Sequence, residues 1–265
     1  MTQQWDQQSE RSSGFMLRLL VGIGLVLGRG LARLILLPVV SYFLLTGGSS
    51  AKASRHYLRR ALGREPGWAD LARHFHAFAS VSLDRGCGWA GRADQFDLRI
   101  DRPPDVLALS QQNRGCLLLM AHAGSFEVMR FIAVDQRSLM LRMLIDMQVN
   151  ARFMSVVQKL RPDFAARVID ASQGGPSLVL ALKDALEQGA MVGMMADRVR
   201  DHERCIDVDF LGARAQLPAS PWILAATLGV PVILAFGLYR GGNRYDVHLE
   251  LFAEHVSLPR ATRDD

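Results

Sequence analysis

The chain is expected to fold as an α/β domain on a mostly parallel mixed sheet flanked by helices, behind an N-terminal apolar helical segment. Three observations predict this. From about residue 95 onward, short apolar runs that read as strands alternate with helical patterns, and such alternation builds parallel sheets covered by helices. Hydrophobic residues make up 49% of the 265 positions, enough for a full core. Residues 15 to 45, FMLRLLVGIGLVLGRGLARLILLPVVSYFLL, form a nearly continuous apolar stretch.

That N-terminal stretch is broken by Arg18, Arg29 and Arg33, and Pro38 is expected to kink a helix there. Its longest charge-free pieces run from Leu19 to Gly28 and from Leu34 to Thr46. Each is shorter than the roughly 20 apolar residues that cross a bilayer. A single span that tolerates arginines, a bent interfacial hairpin and a buried soluble helix pair all fit. No small-residue cleavage site follows one short apolar core, so a cleaved signal peptide is not expected. Stable membrane attachment from the cytoplasmic side is the favoured reading, with residues 1–48 as the anchoring segment and 49–265 as the main domain. The stretch Lys52-Ala-Ser-Arg-His-Tyr-Leu-Arg-Arg60 suits an anionic leaflet, or else forms a solvated helical face.

Gly47-Gly-Ser-Ser50 separates the anchor from a helix expected over 51–62. Gly63 to Gly67, with Pro66, forms a turn. A second helix is expected over 68–85, with Leu71, Phe75, Phe78 and Val81 on one side. His74 and His76 lie two apart on it and share no face, so they read as surface or core histidines rather than ligands. Strands are expected at 95–100, 116–121, 139–145, 167–170, 190–195, 206–210, 231–238 and 245–252. Helices are expected near 103–113, 125–135, 150–161, 176–188 and 218–228. No internal repeat or low-complexity tract interrupts the series.

Charge and cysteine content narrow the function. Formal charge is +5 and the isoelectric point about 9.5. Arginine supplies most of the positive charge, since lysine occurs only at 52, 159 and 183. A basic protein seeks acidic partners, among them anionic lipid, acidic carrier proteins and nucleic acid. No helix-turn-helix, zinc finger or aromatic RNA-binding motif is present, which argues against nucleic acid. Cys87, Cys116 and Cys205 are widely spaced, have no metal-ligand pattern and suggest a reducing compartment rather than a disulfide framework. There is no Gly-x-Ser-x-Gly elbow, Walker loop or zinc set, and Gly22-x-Gly24 lacks the rest of a dinucleotide fingerprint. No metal or cofactor is expected. Gly174-Gly-Pro-Ser177 opens a helix and reads either as an anion-binding turn or simply as a turn with proline in the first helical turn. Met191, Met194 and Met195 read as core.

The most informative stretch is His122-Ala-Gly-Ser-Phe-Glu127. It follows the apolar run Cys116-Leu-Leu-Leu-Met-Ala121 and precedes a helical pattern with Phe126, Met129, Arg130 and Ala133. A histidine therefore stands at the carboxyl end of a strand, where open α/β sheets place their sites. Glu127 lies five residues on, wrong for one helix face. Across a strand-to-helix corner, however, a carboxylate and an imidazole can meet and make an oriented general base. Alternatively, Ser125 caps the helix and Glu127 favours its positive end.

The His-x4-Glu box resembles that of the glycerolipid and lipid A type acyltransferases. Further segments extend the likeness in order. Leu182-Lys-Asp-Ala-Leu-Glu-Gln-Gly189, the run Met191 to Ala196 and Asp197 resemble a block of the bacterial lipid A biosynthesis (lauroyl/myristoyl) acyltransferase family. Val208-Asp-Phe-Leu-Gly212 is similar to its Phe-Phe-Gly segment. Leu217-Pro-Ala-Ser-Pro-Trp-Ile-Leu-Ala225 and Leu228-Gly-Val-Pro-Val-Ile-Leu234 resemble the blocks that follow. The likeness spans roughly residues 110 to 252. It departs at Asp197-Arg198, where the family usually has Asp-Gln, and at Asp146-Met147, where many members carry Arg-Pro upstream of an asparagine matched here by Asn150. The chain ends at Asp265, sooner than is usual for the family, so a last helix is expected to be absent.

The resemblance implies a glycerolipid-acyltransferase-like fold and transfer of an acyl chain from a thioester to a hydroxyl of a lipid acceptor. It implies His122 as general base with Glu127, and Asp197, Arg198, Ser125 and Asn150 as substrate-binding positions. It also implies acyl carrier protein as donor, with acyl-CoA as the alternative, and an inner-membrane location with the catalytic domain on the cytoplasmic face. The competing reading is a catalytically inactive, membrane-bound accessory protein that binds lipid or carrier.

Overall fold

The computed structural model describes residues 22, 28–129, 140–149, 151, 154, 155, 158, 162–200 and 203–258. They fall into two compact units, divided after Asp94.

The first unit is helical. Helix α1 (Arg29–Thr46) continues through Pro38. Gly47 ends it, and α2 (Gly48–Leu62) stops at Gly63, whose φ of 65° is the left-handed conformation that closes many helices. Helix α3 (Trp68–Trp89) is capped by Asp70, which accepts from the Gly67 N–H at 2.9 Å and from Arg64 at 2.8 Å. The Arg64 hydrogen bond, seconded by that backbone bond, holds the Asp70 carboxyl down to about 2. Ala32 and Leu36 of α1 pack on Leu83 and Cys87 of α3. On the same side, Arg29 and Arg33 reach Asp84 of α3 at 2.7 and 2.8 Å. The arginines that interrupt the apolar run in sequence are thus paired against a neighbouring helix. Helix α1 has the length and composition to cross a membrane, a test that some core helices of soluble proteins also pass. Residues 15–21 and 23–27 of the expected anchor lie outside the described residues.

The second unit is built on a seven-stranded sheet. Its strands are β1 (Asp97–Ile100), β2 (Cys116–Met120), β3 (Leu141–Ile145), β4 (Val168–Asp170), β5 (Met191–Met195), β8 (Val232–Tyr239) and β9 (Arg244–Ala253), in the order β1-β9-β8-β2-β5-β3-β4. Every neighbouring pair is parallel except β8–β9. The fold is therefore mixed α/β with a mostly parallel sheet, as expected. Strand β2 sits at the centre and is buried along its whole length, which explains why its sequence shows no alternation. Leu117 and Leu119 of β2 join Val192 and Met194 of β5 beneath Leu182, Ala185 and Leu186 of a covering helix, Gly175–Glu187. The other described helices of this unit are Pro104–Gln111, the single turn Pro162–Ala165, and Ser220–Leu228. In chain order these four are α4 (Pro104–Gln111), α5 (Pro162–Ala165), α6 (Gly175–Glu187) and α7 (Ser220–Leu228). The helix expected at 150–161 lies largely outside the described residues, and so does most of the one at 125–135.

One strand was not anticipated. β6 (Cys205–Phe210) pairs antiparallel with β7 (Ala213–Pro218), apart from the main sheet. Phe210 pairs with Ala213, so Leu211 and Gly212 form a two-residue turn, with φ of 49° and 71°. Positive φ at both positions is the geometry that follows the twist of a hairpin. Ala-Arg-Ala-Gln-Leu alternates correctly, but its small and polar residues have weak strand preference.

Candidate active site at the carboxyl edge of the sheet

The carboxyl ends of β2, β3, β4 and β5 carry, in or just beyond each strand, His122, Asp146, Asp170 and Asp197. Pairing of β2 with β5 brings the first and last together. The Ala196 N–H donates to the Met120 carbonyl at 2.9 Å, and one residue further on the chains diverge. There, Asp197 accepts twice from the same residue. Its Oδ2 takes the His122 backbone N–H at 2.8 Å, and its Oδ1 lies 2.9 Å from His122 Nδ1. The carboxylate that meets the imidazole is therefore that of Asp197, which comes from 75 positions away.

Burial pushes the Asp197 pKa up, but the His122 side-chain and backbone hydrogen bonds, with the positive charge of Arg198, outweigh it and leave the group below the ordinary carboxylate range. An ionised Asp197 accepts, so in the neutral imidazole the hydrogen is assigned to Nδ1, which leaves the lone pair on Nε2. The ring is partly exposed and meets Phe126 edge-on, with centroids 5.7 Å apart.

The corner that holds His122 is clamped to β8. Gly124 has φ of 85°, a conformation other residues rarely adopt. The Ser125 N–H donates to the Gly237 carbonyl at 2.7 Å. A Cβ at 124 would overlap that carbonyl oxygen, and a Cβ at 237 would overlap the Ser125 carbonyl oxygen. Two glycines thus permit a backbone-to-backbone approach that no side chain could share. Gly124→Ala is expected to lower stability by about 1–3 kcal/mol and to reduce activity at least tenfold. Thermal melting and single-temperature rates check this together, and an active, undisturbed variant would show that the corner tolerates displacement.

The remaining sequence-named positions are placed as follows. Ser125 and Glu127 are both buried at the start of the helix that follows the corner. Arg198 is exposed beside Asp197. Asn150 lies outside the described residues. Asp146 accepts from the N–H groups of Gln148 and Val149, both at 3.1 Å, and from Arg200 at 3.0 Å. Asp170 accepts from the Met147 N–H at 3.1 Å and from Ser172 at 2.9 Å. Glu203 accepts from the Arg200 N–H at 3.0 Å and from the Ser220 hydroxyl, tying the segment after β5 to α7. Arg200 and Asp170 were missed from sequence. The one available signal for Asp170 was that the runs of β3, β4 and β5 each end in or are followed by an aspartate. Among the described residues no group of histidine, cysteine and carboxylate side chains could hold a metal ion.

An open, mainly parallel sheet with ionisable groups gathered at its carboxyl edge has the build of an α/β enzyme. The chain belongs to the bacterial lipid A biosynthesis acyltransferase family, whose match covers residues 104–254, more than half of its length. It is accordingly a lipid acyltransferase. No curated protein matches the chain.

Proposed function

We propose that the protein moves an acyl chain from a thioester, carried by acyl carrier protein or alternatively by CoA, to a hydroxyl of a membrane lipid, with His122 as general base. The observation that carries this reading is the double hydrogen bond between His122 and Asp197 at the carboxyl edge. Asp197 holds the Nδ1 hydrogen, so Nε2 takes the acceptor hydroxyl's proton as its oxygen attacks the thioester carbonyl. The tetrahedral oxyanion collapses and expels the thiolate, which recovers the proton from Nε2. A thiolate leaves readily, so the route needs neither a metal nor a covalent enzyme intermediate.

Asp197 stabilises the imidazolium that forms during attack. Glu127, the carboxylate of the His-x4-Glu box, is buried in the first turn after the corner and supports the same charge. The Ser125 N–H is occupied by Gly237, so an oxyanion donor in this corner is the Gly124 or Phe126 amide, unless an arginine serves. Arg198 is assigned to the anionic part of the acceptor or carrier, and Asn150 and Ser125 are the further substrate-binding positions of this reading. The apolar α1 and the basic α2 attach the protein to the cytoplasmic face of the inner membrane.

Lipid mass spectrometry of cells with the active protein, without it, and with a His122→Ala copy tests the function. One lipid class is expected to gain an acyl chain only with the active protein. Identical lipid profiles in all three would favour a non-catalytic accessory role.

A further inference from the structure

Helix α1 carries its polarity in the reverse of the order water demands. Its side against α3 holds Arg29 and Arg33 among the buried Ala32, Leu36 and Val40. Its outer side exposes Leu31, Leu34, Leu37, Tyr42 and Leu45. A helix in water turns its apolar stripe inward and its charges outward. In hydrocarbon the requirement reverses, because charges must be paired internally and no polar hydrogen can go unsatisfied.

The first requirement is met by the ion pairs to Asp84, and the second at three hydroxyls of the two helices. The Asp84 side chain is 2% exposed and accepts from Arg29 through Nε at 3.1 Å and Nη2 at 2.7 Å, and from Arg33 at 2.8 Å. Three hydroxyls close on their own helices. Ser41 donates to the Leu37 carbonyl at 2.9 Å, Thr46 to that of Tyr42 at 2.8 Å, and Ser82 of α3 to that of Phe78 at 2.9 Å. Next in sequence, α2 has no acidic residue, carries Lys52, Arg55, Arg59 and Arg60, and buries none of its side chains. Arg55 also lies over the exposed Trp68 ring, 5.9 Å from its centre. A basic stretch and an exposed tryptophan beside an apolar helix suit the headgroup layer of an anionic membrane.

We infer that α1 and the Asp84-bearing half of α3 enter the hydrocarbon of an anionic bilayer together, and that Asp84 is the counter-ion that lets Arg29 and Arg33 do so. This rests on the membrane-attached reading above and sharpens it: the embedded element is a helix pair in which Arg29 and Arg33 share the one carboxylate of Asp84, while α2 lies at the headgroups.

The test uses the full-length protein and vesicles of phosphatidylcholine with phosphatidylglycerol. The wild type is expected to float with the vesicles and to resist a high-salt wash. A Tyr42→Trp copy is expected to be quenched by brominated acyl chains. Asp84→Asn leaves two arginines against one neutral amide, and salt-resistant partitioning should fall on the order of 10–100-fold. The triple variant Arg29→Leu, Arg33→Leu, Asp84→Leu removes all three charges and should restore it. Because Asp84→Asn can also loosen the helix pair, Leu34→Glu with Leu45→Glu supplies a second arm on the exposed side, with helicity checked by circular dichroism. Folded protein carrying both glutamates should lose salt-resistant flotation.

Several results would overturn the inference. They are normal flotation of the double-glutamate variant, an unquenched tryptophan at position 42 in protein that floats, and normal salt-resistant partitioning of folded Asp84→Asn. Self-association of the wild type without vesicles that is abolished by the glutamates would assign the face to a second copy of the chain. A wild type stripped by salt alone removes the membrane-attached reading itself.

Discussion

Purified His122→Ala is expected to lose acyl transfer by on the order of 10²–10⁴-fold while keeping its fold. The two halves of that expectation have separate causes. The imidazole is partly exposed and fills no core position, so its removal leaves no internal cavity. Asp197 also keeps the hydrogen bond from the residue 122 backbone, which does not depend on the side chain. What disappears is Nε2, the atom assigned to take the hydroxyl proton. The measurement is the initial rate with a saturating thioester, alongside melting temperature. A near-normal rate would end the assignment of His122 as base.

Asp197→Asn should cost nearly as much, and it should do so in the rate rather than in acceptor affinity. An asparagine amide can donate to Nδ1, which moves the imidazole hydrogen to Nε2 and blocks that atom from accepting. Loss of the orienting carboxylate in such an arrangement is worth on the order of 10²–10⁴-fold. The acidic limb of the pH–rate profile should move as well. Stability carries a matching sign. The folded-state Asp197 pKa lies below its ordinary value of about 3.9, so the stability that its ionised form contributes is present above that value and fades as pH falls through the folded one. The difference in melting temperature between wild type and Asp197→Asn should therefore narrow on acidification. Glu127→Gln is the necessary comparison. A smaller rate loss than that of Asp197→Asn fits a supporting charge, whereas a larger one would make Glu127 the principal partner of the histidine.

Much of the sheet was legible because its strands are apolar runs of the right length bounded by turn residues. The expected ends of β2, β3, β5 and β8 fall within two residues of those found. His122 was legible as well, because it stands where such a run stops. Its pairing with Asp197 was not. Spacing along the chain favours near neighbours, so it pointed to Glu127 five residues on. The Asp197 contact depends on β5 lying beside β2, and sequence order does not disclose strand order. The same limit applies to Arg29 and Arg33. They read as interruptions of an apolar segment because Asp84 is more than fifty positions away. β7 was missed for a local reason: two of its inward-facing positions are alanines, too small to register as an apolar stripe.

The central placing of β2 also bears on how the chain is made. Its two edges pair with β5 and β8, both synthesised long after it. A growing chain that ends anywhere before β5 holds Cys116-Leu-Leu-Leu-Met120 with both edges open, and open apolar edges invite pairing with other chains. The contacts that cure this are far apart in sequence and form slowly. The nascent protein therefore passes through a long interval in which its most apolar strand must be shielded by chaperones or by the membrane surface. Release of chains cut short before residue 190 should yield aggregates rather than partly working enzyme.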